Sequence, residues 1–271
     1  MIRLSIIEFN EVRYRYPLSD YEVLKGVTFK IKRGDKVALI GTNGSGKTTI
    51  LKHMNGLLKP HSGNVLIDGV DTRRAKVSDL ARKVGMVFQN PNQQLFAQTC
   101  WEEVTFAMRN FSFPEEEISK RAEGVLKSFG LWDYRNESPF LLSAGEKKRL
   151  GLASVLVYEP KILVMDEPTS GQDVAQKKKI GELIQGFKGD AVIVSTHDLD
   201  FVARYFDRVM IVENGRLVAD GQAREIFYNG SLEKFGLLEP QVVTISKGLG
   251  IGGNPLTVED LVKEFKEGQR T

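Results

Sequence analysis

Eight consecutive residues, Gly41-Thr42-Asn43-Gly44-Ser45-Gly46-Lys47-Thr48, have the G-x-x-x-x-G-K-[ST] spacing of a phosphate-binding loop. Glycines in such a loop let backbone N–H groups turn inward around an anion. A helix starting at the end of the loop adds the partial positive charge of its N-terminus. Lys47 then meets the β- and γ-phosphate oxygens, and the Thr48 hydroxyl is offered to Mg²⁺. A second polar cluster, Asp166-Glu167, follows the apolar run Ile162-Leu163-Val164-Met165. Asp166 would hold Mg²⁺ through its water shell, and Glu167 would act on the attacking water as general base. A pair of acids at a strand end is common by itself. Beside a phosphate loop it supplies the carboxylate that a Mg²⁺-nucleotide site needs, and the chemistry is phosphoryl transfer to water.

These residues need a scaffold that brings strand ends together. Short apolar runs at 36–40, 161–165 and 191–194 alternate with longer segments of helical period, which predicts an α/β protein on a mainly parallel sheet. Polar residues follow each run at once, and in an open parallel sheet ligands gather outside the carboxyl ends of the strands. Residues 49–54 continue the phosphate loop as a helix. The segments 12–16 and 27–31, with a turn at Ile67-Asp68-Gly69, read as an antiparallel β layer beside the main sheet. Asn214-Gly215 between 209–212 and 216–218 predicts a hairpin with a type I′ turn.

From about 90 to 160 the pattern turns helical. Thr99-x-x-Glu102 and Ser143-x-x-Glu146 are capping boxes, and Ile118, Ala122, Val125, Leu126 and Phe129 keep a 3.6-residue period up to Gly130. A helical insertion in the α/β core is expected. Near the C-terminus, Thr257-x-x-Asp260 caps a short helix with Val258, Leu261, Val262 and Phe265 on one apolar face.

Composition narrows the field. The 271 residues carry 38 Lys+Arg against 35 Asp+Glu, a net charge of +3, too near balance to point to nucleic acid or an anionic membrane. Hydrophobic residues make up 41% and charged residues 27%, which excludes disorder, collagen and disulfide-scaffold classes. Apolar runs stop at four residues, whereas a membrane-spanning helix needs about 20. Cys100 is the single cysteine, so no intrachain disulfide forms, and the N-terminus has no signal-peptide pattern; the cytosol is the expected compartment. Lys147-Lys148-Arg149 and Lys177-Lys178-Lys179 read as solvated helix faces.

The phosphate loop, Gln89, Leu142-Ser143-Ala144-Gly145-Glu146, Asp166-Glu167, Ser170-Gly171-Gln172-Asp173 and His197 stand in the order found in ATP-binding cassette (ABC) ATPase subunits, which the chain resembles over residues 2 to about 235. The resemblance implies a P-loop NTPase (ABC ATPase) core, residues 1–235, with the helical subdomain inserted at about 90–160. Residues 236–271 would then be a C-terminal helical extension that could contact a second ATPase subunit. It implies ATP and Mg²⁺ as ligands. Gln89 would reach Mg²⁺ and the attacking water from a hinge, His197 would contact the γ-phosphate, and Thr49 would join the loop in ATP binding. Tyr16 resembles the aromatic that stacks on adenine, with Tyr14 as competitor. Ser143, Ala144, Gly145, Glu146 and Asp173 would face the ATP held by the other protomer, so that two chains, identical or different, enclose two nucleotides. Ala144 stands where glycine is usual and Gln172 where leucine is common, which leaves open whether both composite sites work.

Residues 88–104, Phe88-Gln89-Asn90-Pro91-Asn92-Gln93-Gln94-Leu95-Phe96 and the stretch that follows, resemble the energy-coupling-factor (ECF) branch, which energises uptake of vitamins and transition-metal ions. That implies an integral membrane coupling subunit, a substrate-binding membrane subunit and a peripheral location at the cytoplasmic face. No nucleic acid is expected as partner. The alternatives are a generic ABC importer ATPase or a non-transport ABC ATPase. Repair and chromosome-maintenance members place a long coiled coil between phosphate loop and signature serine, and the stretch 48–142 has no room for one. Translation-factor members usually carry two cassettes in a chain, and this chain has one.

Overall fold

The structure is a computed structural model that describes residues 4–268; the chain ends named in the expected domain bounds, 1–3 and 269–271, lie outside the described residues. From the N-terminus come β1 (Ser5–Arg15), β2 (Glu22–Lys32), β3 (Asp35–Ile40), α1 (Lys47–Met54), β4 (Ser62–Ile67), β5 (Val70–Asp71), α2 (Val77–Ala81) and β6 (Val84–Val87). Three helices follow, α3 (Cys100–Asn110), α4 (Glu115–Ser128) and α5 (Ala144–Leu156). The chain then returns to alternation with β7 (Ile162–Asp166), α6 (Val174–Gly186), β8 (Ala191–Ser195), α7 (Leu199–Tyr205), β9 (Arg208–Glu213) and β10 (Arg216–Gln222). It ends in α8 (Ala223–Asn229), α9 (Gln241–Leu249) and α10 (Val258–Gly268).

Two sheets form. β2-β1-β4-β5 is antiparallel, as expected for the N-terminal layer, though β1 and β2 reach well beyond the aromatic and β-branched runs that signalled them. The other has the order β10-β9-β3-β8-β7-β6, parallel except for the β9–β10 hairpin. Asn214 and Gly215 in that hairpin have φ of 46° and 77°, the positive values a type I′ turn requires.

The parallel strands sort their side chains with period two. Val37, Leu39, Ile162, Val164 and Ile193 face the antiparallel sheet and α1 in one core. Ala38, Ile40, Leu163, Met165 and Val194 face α6, α7 and α8 in another. A third core, around Val104, Met108, Ile118, Ala122, Leu126 and Leu150, holds α3, α4 and α5 together. Both expected capping boxes are present: Thr99 with Glu102 opens α3, and Ser143 with Glu146 opens α5. β6 joins the edge of the parallel sheet through Gly85, where an added Cβ would stand 2.5 Å from Val155 Cγ1 and 2.7 Å from Pro160 Cγ.

His53, on α1 directly behind the phosphate loop, is fully buried. Its Nδ1 lies 2.7 Å from the Thr49 carbonyl, its ring meets Tyr14 edge-on at 4.8 Å, and its Nε2 has no partner. Burial pushes the imidazole pKa down to about 4 against the Thr49 bond, which favours the charged form. The unfolded chain therefore binds this proton first as the pH falls. Stability is fully retained above about pH 6.5 and is lost between there and about pH 4, by about 3 kcal/mol when complete. In urea unfolding at pH 7.5 and 4.5, wild type is expected to lose about 2–3 kcal/mol more than His53→Phe. Equal losses would contradict the buried, neutral imidazole.

Candidate functional site: a phosphate-loop cleft

Three strand ends converge on one cleft of about 520 Å³. β3 delivers the phosphate loop, β7 delivers Asp166 and Glu167, and β8 delivers Ser195 and leads into His197. Tyr16, Asn43, Gly44, Gly46, Lys47, Thr48, Thr49, Gln89, Asp166, Glu167 and His197 all line it. Residues expected from five separate sequence segments thus share one cavity.

The loop is shaped by what cannot fit. At Gly41 an added Cβ would stand 2.2 Å from the Val212 carbonyl oxygen, so β9 presses on the loop where it leaves β3. At Gly44, with φ 77°, nothing lies within 4 Å of that position, so the backbone there is open to the cleft. Lys47 is 7% exposed and its ammonium donates to the Gly41 and Thr42 carbonyls at 2.7 and 2.9 Å. Burial lowers its pKa while the charges of Glu167 and Asp166 oppose that shift. Ser45 Oγ is buried without a partner.

Asp166 is held from two sides. Thr48 Oγ1 donates to its Oδ2 at 2.7 Å and Ser195 Oγ donates to its Oδ1. Glu167, 5% exposed, sits at φ 48°, a left-handed backbone unusual for a residue with a Cβ. Its N–H donates to the Ser195 carbonyl at 2.9 Å, which fixes that strained turn. His197 Nδ1 stands 2.8 Å from Glu167 Oε2, but out of line for a hydrogen bond, so this buried oxygen has no donor. His197 itself is 62% exposed at the side chain and free to face the cleft.

These features fit a Mg²⁺-nucleotide. An open loop backbone, a buried lysine, a hydroxyl and carboxylate already 2.7 Å apart, and the buried Glu167 Oε2, which lacks a hydrogen-bond donor, converge on one space.

Tyr14 is buried against His53 and Tyr16, whereas Tyr16 lies at the cleft with its hydroxyl 3.1 Å from Thr49 Oγ1. Gln89 is exposed at the cleft edge. Ser143, Ala144, Gly145 and Glu146 are not among the residues lining it. Ser143 and Ala144 are exposed at the start of α5, with Glu146 accepting from the Ser143 N–H at 2.8 Å and hydroxyl at 2.6 Å. These bonds hold the Glu146 carboxyl below the usual range. Asp173, also exposed, caps α6 through the Gln176 N–H at 2.8 Å.

Several residues support the site without belonging to a nucleotide-binding motif. Ser195 clamps Asp166. Lys148 donates to the Ser170 carbonyl and feels the charge of Glu167. Gln94 binds the hinge to α5, accepting from the Phe88 N–H at 3.2 Å and donating to the Gly151 carbonyl at 2.8 Å. Buried Glu103 accepts from the N–H groups of Phe96 and Ala97 at 2.8 and 2.9 Å. That bond pair turns the segment so that Leu95 enters the helical core while Phe96, 57% exposed, packs edge-on against exposed Phe106 at 4.7 Å. Serine, lysine and glutamine at such positions resemble ordinary surface residues until the fold assembles them.

The family profile described as ABC transporter matches residues 24–170. The energy-coupling factor transporter ATP-binding protein EcfA of Methanocaldococcus jannaschii is 40% identical over 244 residues, 88% of this chain and 87% of that one. Among solved structures, cbiO1 of Clostridium perfringens, described as part of the ABC transporter complex cbiONQ, superposes with a TM-score of 0.72. It is 35% identical and covers 91% of this chain and 99% of its own. The ATP-binding cassette MJ0796, solved as a dimer in a post-hydrolysis state with ADP and phosphate, also gives 0.72, at 28% identity over 80% of this chain and 98% of its own. With the phosphate loop, paired acids and strand order in place, the chain belongs to the ABC transporter family as an ATP-binding ATPase subunit resembling the energy-coupling-factor branch.

Proposed function

We propose that this ATPase energises an ECF-type membrane importer of vitamins or transition-metal ions, as a peripheral subunit on the cytoplasmic face. The observation that carries this reading is the segment from Gln89 to Phe96. It leaves the cleft at Gln89, is tied to α5 by Gln94, and presents the exposed Phe96–Phe106 pair beside the hinge. Relatives named as energy-coupling factor ATPases, and the likeness to a cbiONQ component, support it. No helix among the described residues is long and apolar enough to cross a membrane.

In the proposed site, Lys47 and the N–H groups of the loop bind the phosphates of ATP, and Tyr16 packs on the adenine. Thr48, Asp166 and Gln89 would hold Mg²⁺, which when bound neutralises phosphate charge. Glu167 Oε2 accepts the proton of the attacking water, held by the strained turn at φ 48°. His197, its Nδ1 2.8 Å from Glu167 Oε2, contacts the γ-phosphate beside it. Ser143, Ala144, Gly145, Glu146 and Asp173, all outside this cleft and with Ser143, Ala144 and Asp173 exposed, serve the nucleotide of a second ATPase subunit in a head-to-tail pair. The core is assigned to residues 1–235, with the helical subdomain inserted at about 90–160. Residues 236–271 form an extension whose α10 shows Val258, Val262 and Phe265 half-exposed, a face suited to the partner ATPase.

The test is purification of the tagged chain from detergent-solubilised membranes. Recovery with integral membrane subunits and a second ATPase copy or relative is expected. A complex with nucleic acid and no integral membrane protein would overturn the reading.

A further inference from the structure

A second cavity, of about 370 Å³, lies away from the nucleotide cleft, where the helical insertion meets the main sheet's helical layer. Its lining comes from the end of α4, the middle of α5, the loop after Glu167 and the outer face of α6, and it shares no residue with the phosphate-loop cleft. The volume falls within the range of small-molecule sites. Its walls are apolar: Phe129, Leu152, Ile180 and Leu183 belong to the core packed under α6.

Three cations border this apolar space, Lys148, Arg149 and Lys179, against one acid, Glu182. Lys148 is engaged with the Ser170 carbonyl. Among the described residues Arg149 and Lys179 make no ion pair and no side-chain hydrogen bond, and Arg149 Nε is buried without a partner. A guanidinium nitrogen removed from water and left unbonded is costly unless something else satisfies it. Arg149 feels the charge of Glu146 but bonds to nothing among the described residues, and an apolar chamber edged by unbonded cations recognises a molecule with the complementary halves.

We infer that this cavity binds a small amphipathic monoanion, an apolar body seated on Leu152, Ile180 and Leu183 with a carboxylate, sulfonate or phosphate between Arg149 and Lys179. The ligand would touch α4 and α5 of the helical insertion and α6 of the core at once, and so bridge the two. It would also lie beside Lys148, whose bond to the Ser170 carbonyl steadies the loop that follows Glu167. Occupancy therefore stiffens the junction and slows ATP turnover without competing for the nucleotide.

Decanoate serves as probe, with decanol as the uncharged control, on the full chain followed by calorimetry and by methyl NMR of Leu152, Ile180 and Leu183. One decanoate per chain is expected, at least 10-fold tighter than decanol and weakened at least 10-fold in Arg149→Ala. Lys147→Ala, a neighbouring cation that does not line the cavity, should bind as wild type does. Lys179→Ala, on an exposed face, provides a second variant should Arg149→Ala unfold, and should weaken binding about 10-fold. ATP affinity measured with and without decanoate should be the same. Absence of one-to-one binding, equal affinity for decanol, unchanged affinity in a folded Arg149→Ala or Lys179→Ala chain, or displacement of decanoate by ATP would overturn the assignment.

Discussion

Glu167→Gln is expected to lower ATP turnover by about 10²–10⁴ while ATP binding persists, the range lost with a general base. The side chain is nearly isosteric, so the backbone turn at φ 48° and the Glu167 N–H bond to Ser195 remain. What disappears is the one buried carboxylate oxygen that faces the cleft without a donor. The groups proposed to grip phosphate and metal, Lys47, Thr48 and Asp166, are hydrogen-bonded to the loop and to one another rather than to Glu167. Binding and chemistry should therefore separate. Phosphate release from the variant assembled with its partner subunits, beside equilibrium ATP binding, makes the comparison. Turnover close to wild type would remove Glu167 from the role of base.

Lys47→Ala should weaken ATP binding itself, by about 10- to 100-fold, the effect of losing one charge-assisted hydrogen bond of about 1.5–3 kcal/mol. The ammonium is already buried and already stripped of water, held on the Gly41 and Thr42 carbonyls. Little further desolvation is needed when phosphate oxygens replace those carbonyls, so most of the Coulomb gain appears as affinity. The alanine variant also releases two loop carbonyls, and thermal unfolding of the nucleotide-free chain separates that local effect from lost affinity. Unchanged ATP affinity in a folded variant would contradict the phosphate-loop assignment.

Much of the site was legible because its chemistry is local in sequence. The phosphate loop is one contiguous octet, Asp166-Glu167 sits at the end of one apolar strand, and the Ser143 cap is a four-residue pattern, so each announced its own secondary structure. Parallel strands buried on both faces also read plainly as apolar runs. The remainder depended on contacts between distant segments. Ser195 becomes a clamp for Asp166 only because β7 and β8 pair in register with those two residues opposite each other. β6 gives little signal in the sequence because Gly85 interrupts its four-residue apolar run, and that glycine is required by Val155 and Pro160 packing from outside the sheet. Lys148 looked like part of a solvated charge run, yet it turns inward to the loop after Glu167. That Tyr14 rather than Tyr16 packs on His53 lies beyond the reach of alternation alone, since strand twist and bulges in β1 decide which ring meets His53.

The central claim is that ATP lies between two ATPase subunits, with Lys47 and Glu167 on one side and the Ser143 cap of the facing subunit on the other. The most direct measurement is a structure of the membrane-extracted complex carrying Glu167→Gln, prepared with ATP and Mg²⁺. Each ATP is expected to touch the loop of one subunit and the serine-capped helix of its neighbour. ATP enclosed by a single chain, with Ser143 facing solvent, would contradict it.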